Sequence, residues 1–137
     1  MKLISSILEP VFFICFGGIG YYFLEILFRG ESHYSMMLCG GFAFYLVSLL
    51  NRSLENRFLV ITRMILSALL ITFLEFCFGY YYNLFLHQQV WDYSTHLFHY
   101  QGQVCLTFSI LWFFLSYPLF YLERFFRFHL FSFFETP

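Results

Sequence analysis

Four stretches of the chain, residues 10–28, 34–50, 58–86 and 104–122, are apolar almost without interruption. Each comes close to or exceeds the roughly twenty residues that the hydrocarbon core of a bilayer requires. Lipid offers backbone N–H and C=O groups no hydrogen-bond partner, and these runs show no strand-like alternation, so each is read as a helix. The expected fold is an all-α integral membrane protein, with four transmembrane helices in an antiparallel bundle. Composition agrees: of 137 residues, 61% are hydrophobic, 26% aromatic and only 11% charged, too few polar groups to cover a water-soluble domain of this size. Seven Lys and Arg against eight Asp and Glu leave a net charge of −1, which excludes a nucleic-acid partner.

The whole chain, 1–137, reads as a single membrane domain. Glu9-Pro10 marks the start of the first helix, because proline suits an early helical turn and an acid suits the positive end of the dipole. No small-residue cleavage site follows this run, so the segment is expected to be retained. Residues 29–33 and 51–57 form the first two links. The third, 87–103, is the longest and most polar, and it is where recognition outside the spans would occur. Lys2, Arg52, Arg57, Arg124 and Arg127 fall on one side and Arg29 on the other, which predicts that both termini are cytoplasmic. Residues 123–137, mixing cations with aromatics, are expected to form a cytoplasmic interfacial tail. Twin glycines at Gly17-Gly18 and Gly40-Gly41 fit close helix packing. Cys15, Cys39, Cys77 and Cys105, one for each run and without metal-ligand spacing, are expected to be buried small hydrophobes.

An ionised side chain at membrane depth costs on the order of 3 kcal/mol, so each one requires a reason. Glu25 and Arg29 stand four apart on one helix, acid first, and are expected to pair. Glu75 lies twelve residues beyond Arg63, about 18 Å along a helix axis, too far for direct pairing. Spacing by fours puts Glu75, Gly79 and Asn83 on one stripe, with Thr72 beside it, and that stripe should face the bundle. In the long link, Trp91-Asp92-Tyr93-Ser94 reads in two ways. Asp92 caps a helix while Trp91 and Tyr93 anchor at the headgroup level, or Asp92 joins Glu25 and Glu75 in an acidic vestibule. Gln103, Ser109 and Trp112 are available to complete a polar lining, and His87, His96 and His99 are residue types suited to metal binding or proton sensing.

Taken together, the glycine pairs, Glu25 with Arg29-Gly30 and Ser32-His33, Glu75 with Gly79 and Asn83, Val90-Trp91-Asp92-Tyr93-Ser94, and Gly102-Gln103-Val104-Cys105 with Trp112 resemble the CmpB-like ABC-transporter type IV family. The resemblance implies a small bacterial membrane protein labelled a permease, located in the cell membrane. The sequence carries no phosphate-cradling loop, no zinc motif and no nucleophile motif, so neither an ATPase domain nor a cofactor is expected, and the chain does not read as an enzyme. The function expected is that of a transporter permease with a polar intramembrane cavity open to the outer side. Glu25, Arg29, Glu75, Asn83, Trp91, Asp92, Tyr93, Ser94 and Gln103 are the candidate substrate- or ion-binding residues. Four helices leave little room for alternating access, so a homo-oligomer, or a partner membrane or ATPase subunit, is expected within the lipid bilayer. Two further readings stand beside it: an accessory or scaffold subunit whose polar residues fix packing, and a lipid-acting enzyme using Asp92, Glu75 and a histidine as acid and base.

Overall fold

A computed structural model describes residues 2–132. It contains four long helices: α1 (Lys2–Arg29), α2 (Tyr34–Leu54), α3 (Val60–Gly79) and α4 (Leu106–Phe126). All four are long and apolar enough to cross a membrane. Helix α3 continues into a π-helical segment, Tyr80–Phe85, and α4 into another, Arg127–Phe131. Between α3 and α4 a small antiparallel hairpin joins β1 (His99–Tyr100) to β2 (Val104–Cys105), with His99 opposite Cys105.

The boundaries depart from the sequence expectation at both ends of the chain. Helix α1 begins at Lys2 and carries Pro10 inside it. Where the surroundings cannot hydrogen-bond to the backbone, a helix that loses one bond at proline is still better than an open chain. Pro118 is carried through α4 for the same reason. The last helix starts at Leu106 rather than Val104, because Val104 and Cys105 are spent on pairing with the hairpin. It also runs past residue 122: Glu123 is fully buried, and Phe126 and Phe131 pack against Phe13 and Phe44. Residues 133–137, the end of the expected interfacial tail, lie outside the described residues. Cys39 and Cys105 are buried, but Cys15 and Cys77 are exposed on the outside of the bundle, against the expectation that all four are core.

The tightest contact in the fold is between α1 and α2. A Cβ on Gly17 would stand 2.5 Å from the Cβ of Phe44, one on Gly18 2.6 Å from the Met37 carbonyl, and one on Gly40 2.5 Å from the Cβ of Tyr21. At these positions only hydrogen fits, so the backbones approach as closely as small-residue helix pairs allow. Gly20 does not belong to this contact, since a Cβ there meets nothing within 4 Å. A second core layer joins α2, α3 and α4 through Val47, Met64, Ala68, Ile71, Trp112 and Phe120. Helix α1 reaches α4 chiefly through rings near the chain termini, where Phe12, Phe13 and Phe16 meet Phe126. The outer surface is apolar, with side chains such as Phe28 at 86% exposure, as expected of a surface whose solvent is lipid.

Gly41 would place a Cβ against the Ile14 carbonyl. Gly41→Val is expected to destabilise the protein by about 1–3 kcal/mol through overpacking, whereas Gly20→Ala should change stability by less than about 0.5 kcal/mol. Thermal unfolding of both variants in one detergent checks this pair.

Candidate functional site

Polar side chains gather at the two ends of the bundle. At the end that carries the α1–α2 link and the long link, the stripe Glu75, Gly79, Asn83 faces inward, with all three residues buried. Tyr93 Oη donates to Glu75 Oε1 at 2.8 Å, and Trp112 Nε1 donates to Glu75 Oε2 at 3.1 Å. Both donors are neutral, and among the described residues no basic side chain forms an ion pair with Glu75. Two lone-pair positions of an ionised carboxylate therefore remain beyond those the donors use.

The long link is tied into the bundle by Asn83. Its Oδ1 accepts from Val90 N at 2.7 Å and Trp91 N at 3.4 Å, and its Nδ2 donates to Gln103 Oε1 at 2.8 Å. Trp91 Nε1 donates to the Gln103 carbonyl, and Gly79 leaves the space that the Trp91 ring and the Gln103 side chain occupy. The link needs this anchoring. His87, Gln89, Phe98 and Gln101 all have φ between +50° and +54°, a conformation that costs a non-glycine residue about 1–3 kcal/mol unless its surroundings impose it.

Within Trp91-Asp92-Tyr93-Ser94 the side chains alternate. Trp91 and Tyr93 are buried, which corrects the headgroup-anchor reading, and Asp92 and Ser94 are exposed. Asp92 accepts from the Ser94 backbone N–H at 2.9 Å and from the Ser94 hydroxyl at 3.0 Å. These bonds, the backbone one first, hold its carboxyl below the usual carboxylate range. It closes a local turn and does not join Glu25 and Glu75 in a vestibule. Gly102, at φ +71°, leaves the room against Asp92 that a Cβ would fill. Burial first, then the charge of Glu75, push the Tyr93 phenol above its ordinary value, so Tyr93 remains a donor. His99 Nδ1 accepts from Gly102 N, and His33 caps α2 by accepting from Ser35 N. Among the described residues, no three His, Cys, Asp or Glu side chains gather as a metal site. Ser109 pairs with Thr72 rather than with Glu75.

Glu25 and Arg29 form the expected ion pair, at 3.0 Å, and Arg29 also donates to the Val90 carbonyl. Tyr21, which the sequence reading did not single out, donates to Glu25 Oε1 at 3.1 Å. Its position one helical turn before Glu25 was the available signal. Two cavities are lined from this pair, one by Glu25 and the other by Tyr21. One, about 170 Å³, is a polar recess lined by Glu25, Arg29, Glu31, Ser32, His33 and the start of the long link. The other, about 160 Å³, lies among the four helices, with Tyr21, Gly20, Leu24, Trp112, Leu115 and Leu119 in its wall. Glu75 is the one acidic or basic residue lining it. The described residues thus line a polar recess and, separately, an apolar chamber with a single carboxylate.

The opposite end holds an ionic cluster that the sequence reading largely missed. Glu123 accepts from Asn51 Nδ2 at 2.9 Å and pairs with Arg52 and Arg127; Arg52 also pairs with Glu9, and Arg63 bonds to Asn51. All four helices contribute. Just past the end of α2, Glu55 accepts from Arg127 at 2.7 Å, and Arg124 lies 3.4 Å from it. Partial burial pushes the Glu55 carboxyl up, but the two arginines outweigh it and leave the group below its ordinary value.

The model of the family described as "Putative ABC-transporter type IV" matches residues 11–135, nearly the whole chain. No curated protein and no solved structure matches it.

Two outcomes follow from these contacts. Asn83→Ala leaves the Val90 and Trp91 amides and Gln103 without their acceptor and donor, at about 1–3 kcal/mol for each group left buried and unsatisfied. Hydrogen exchange over residues 88–103 should accelerate while α2 stays protected. Because the Glu55 carboxyl is depressed in the folded state, its contribution is present above the unfolded pKa and is lost as pH falls through the folded value. Glu55→Gln should therefore lower the melting temperature at neutral pH, and the difference should vanish on acidification below the ordinary carboxylate range.

Proposed function

The chain belongs to that family, and on this premise we propose that it is the membrane-embedded subunit of a transporter, with Glu75 as its working group. One observation carries the reading. Glu75 is 2% exposed, accepts two hydrogen bonds from neutral donors, has no cationic partner among the described residues, and lines a chamber large enough for a small guest. A buried carboxylate arranged in this way is suited to accept a cation or exchange a proton. The Glu25–Tyr21 pair stands between the polar recess and the chamber, since Glu25 lines the first and Tyr21 the second. In this reading a cation or proton passes from the recess toward Glu75 by way of Glu25 and Tyr21.

The termini lie on the cytoplasmic side in this reading. Arg52, Arg57, Arg124 and Arg127 are at that end, and Arg29 is at the other. No ATP-binding motif occurs in the chain, so energy comes from a separate ATPase or from an ion gradient, and the active unit is an assembly with a partner subunit or with further copies of the chain. The candidate residues divide by role. Glu75 and Glu25 with Arg29 face the two cavities, whereas Asn83, Trp91, Tyr93 and Gln103 hold the long link in place. Asp92 and Ser94 shape the turn.

The convergence of Tyr93 and Trp112 on Glu75 also favours a second reading, in which Glu75 only locks the link to α3 and α4. Glu75→Gln separates the two. A glutamine can accept from Trp112 through its oxygen and donate to the Tyr93 oxygen through its amide, so folding should survive. The transport reading expects recovery of an ATPase or a multi-copy assembly when the tagged chain is purified from its native membrane in mild detergent. It further expects Glu75→Gln to assemble normally, melt within a few degrees of the parent and lose flux in the reconstituted assembly. A monomer without partners, or full flux in Glu75→Gln, would overturn it; a large fall in melting temperature would establish the locking role.

A further inference from the structure

We propose that the chamber beside Glu75 binds an amphiphilic organic monocation, its apolar body among the helices and its ammonium group on the Glu75 carboxylate. The proposal deepens the transport reading by naming the ligand class, and it rests on that reading's choice of the chamber as the working site.

Three features of the site define the guest. The first is charge. Glu25 has Arg29, Glu123 has Arg52 and Arg127, Glu9 has Arg52 and Glu55 has Arg124 and Arg127. Among these carboxylates and Glu75, only Glu75 is without a cation. Its two hydrogen bonds come from a phenol and an indole, donors that favour a negative oxygen without neutralising it. A guest carrying one positive charge and hydrogen-bond donors completes the site. An inorganic cation fits poorly, because the rest of the wall is almost entirely carbon and offers no shell of oxygen ligands.

The second feature is the apolar wall. Leu24, Ile71, Leu115 and Leu119 line the same space, and a body that buries hydrocarbon there gains on the order of 25 cal/mol for each Å² removed from water. The volume, about 160 Å³, is close to that of an apolar protein cavity that takes up benzene, so a chain or ring of roughly six carbons fills it. The third is access. Helix α1 meets α4 through Phe12, Phe13 and Phe16 against Phe126 and through Tyr21 against Trp112, and between these contacts Gly20 and Leu24, with Phe16 beside them, stand exposed on the rim of the chamber. The rim faces the surface that lipid covers. A guest already dissolved in the bilayer can therefore enter from the side, and its ammonium group reaches Glu75 without crossing the polar recess.

The test uses the intact chain in lipid nanodiscs and needs neither a partner subunit nor an energy source. The protein has two tryptophans, and Trp112 both lines the chamber and donates to Glu75, so tryptophan emission reports on occupancy. Hexylammonium, 1-hexanol and hexanoate are titrated, with empty nanodiscs correcting for partition into lipid. Hexylammonium is expected to give a saturable change at least tenfold tighter than hexanol, and hexanoate no saturable change. In Glu75→Gln the hexylammonium affinity should fall to that of hexanol. Equal affinity for hexylammonium and hexanol on the parent protein would overturn the proposal, and that comparison does not depend on any variant folding. Undiminished hexylammonium binding in Glu75→Gln would overturn it as well. Either failure leaves partner recovery and flux as independent tests of the transport reading, and failure of those leaves the binding result standing.

Discussion

The absence of hydrogen-bond partners in lipid governs most of this structure. A backbone that cannot turn to solvent remains helical, which is why α1 runs through Pro10 and α4 through Pro118. The same constraint acts on side chains. Polar groups within the spans gather with one another, at one end around Glu123 and Asn51 and at the other around Glu75 and Asn83, while the outer surface is left to Phe, Leu and Ile.

The two polar ends are built differently. The terminal end is ionic: Glu9, Arg52, Glu123, Arg127 and Glu55 form a continuous set of ion pairs, with Arg63 held through Asn51, and each charge gains a partner of opposite sign or a hydrogen bond. The loop end relies mainly on neutral groups. Asn83, Gln103, Trp91 and Tyr93 satisfy one another and pin a link whose backbone is strained at four non-glycine positions. Glu75 is set among these neutral groups and, among the described residues, has no basic partner, which makes it chemically distinct from the buried Glu25 and Glu123. Tight packing of α1 on α2 through glycine, with α1 reaching α4 chiefly through aromatic rings, leaves the chamber beside Glu75.

Much of the site was legible because helical spacing is a local rule. The stripe Glu75, Gly79, Asn83 faces inward as its spacing by fours requires, and Glu25 meets Arg29 across one turn. Residues whose partners lie far along the chain were less legible. Nothing near Tyr93 in sequence indicates a bond to a carboxylate eighteen positions earlier, and Trp112 reaches the same carboxylate from thirty-seven positions away. Glu123 falls just beyond the last apolar run, where an acid ordinarily meets water. It is buried because the aromatic packing of Phe126 and Phe131 carries the helix further.

The sequence by itself determined that this chain lives in a bilayer, how many times it can cross, and which faces of its helices carry polar groups, because hydrophobic length and helical period act over neighbouring residues. Tertiary structure alone decided that Trp91 and Tyr93 turn inward while Asp92 and Ser94 turn out, and that among the described residues Glu9, Glu55 and Glu123 have basic partners while Glu75 has none. Those outcomes depend on which helices touch and how closely. That in turn is set by glycine contacts and by a strained link, whose geometry emerges only when distant segments are packed together.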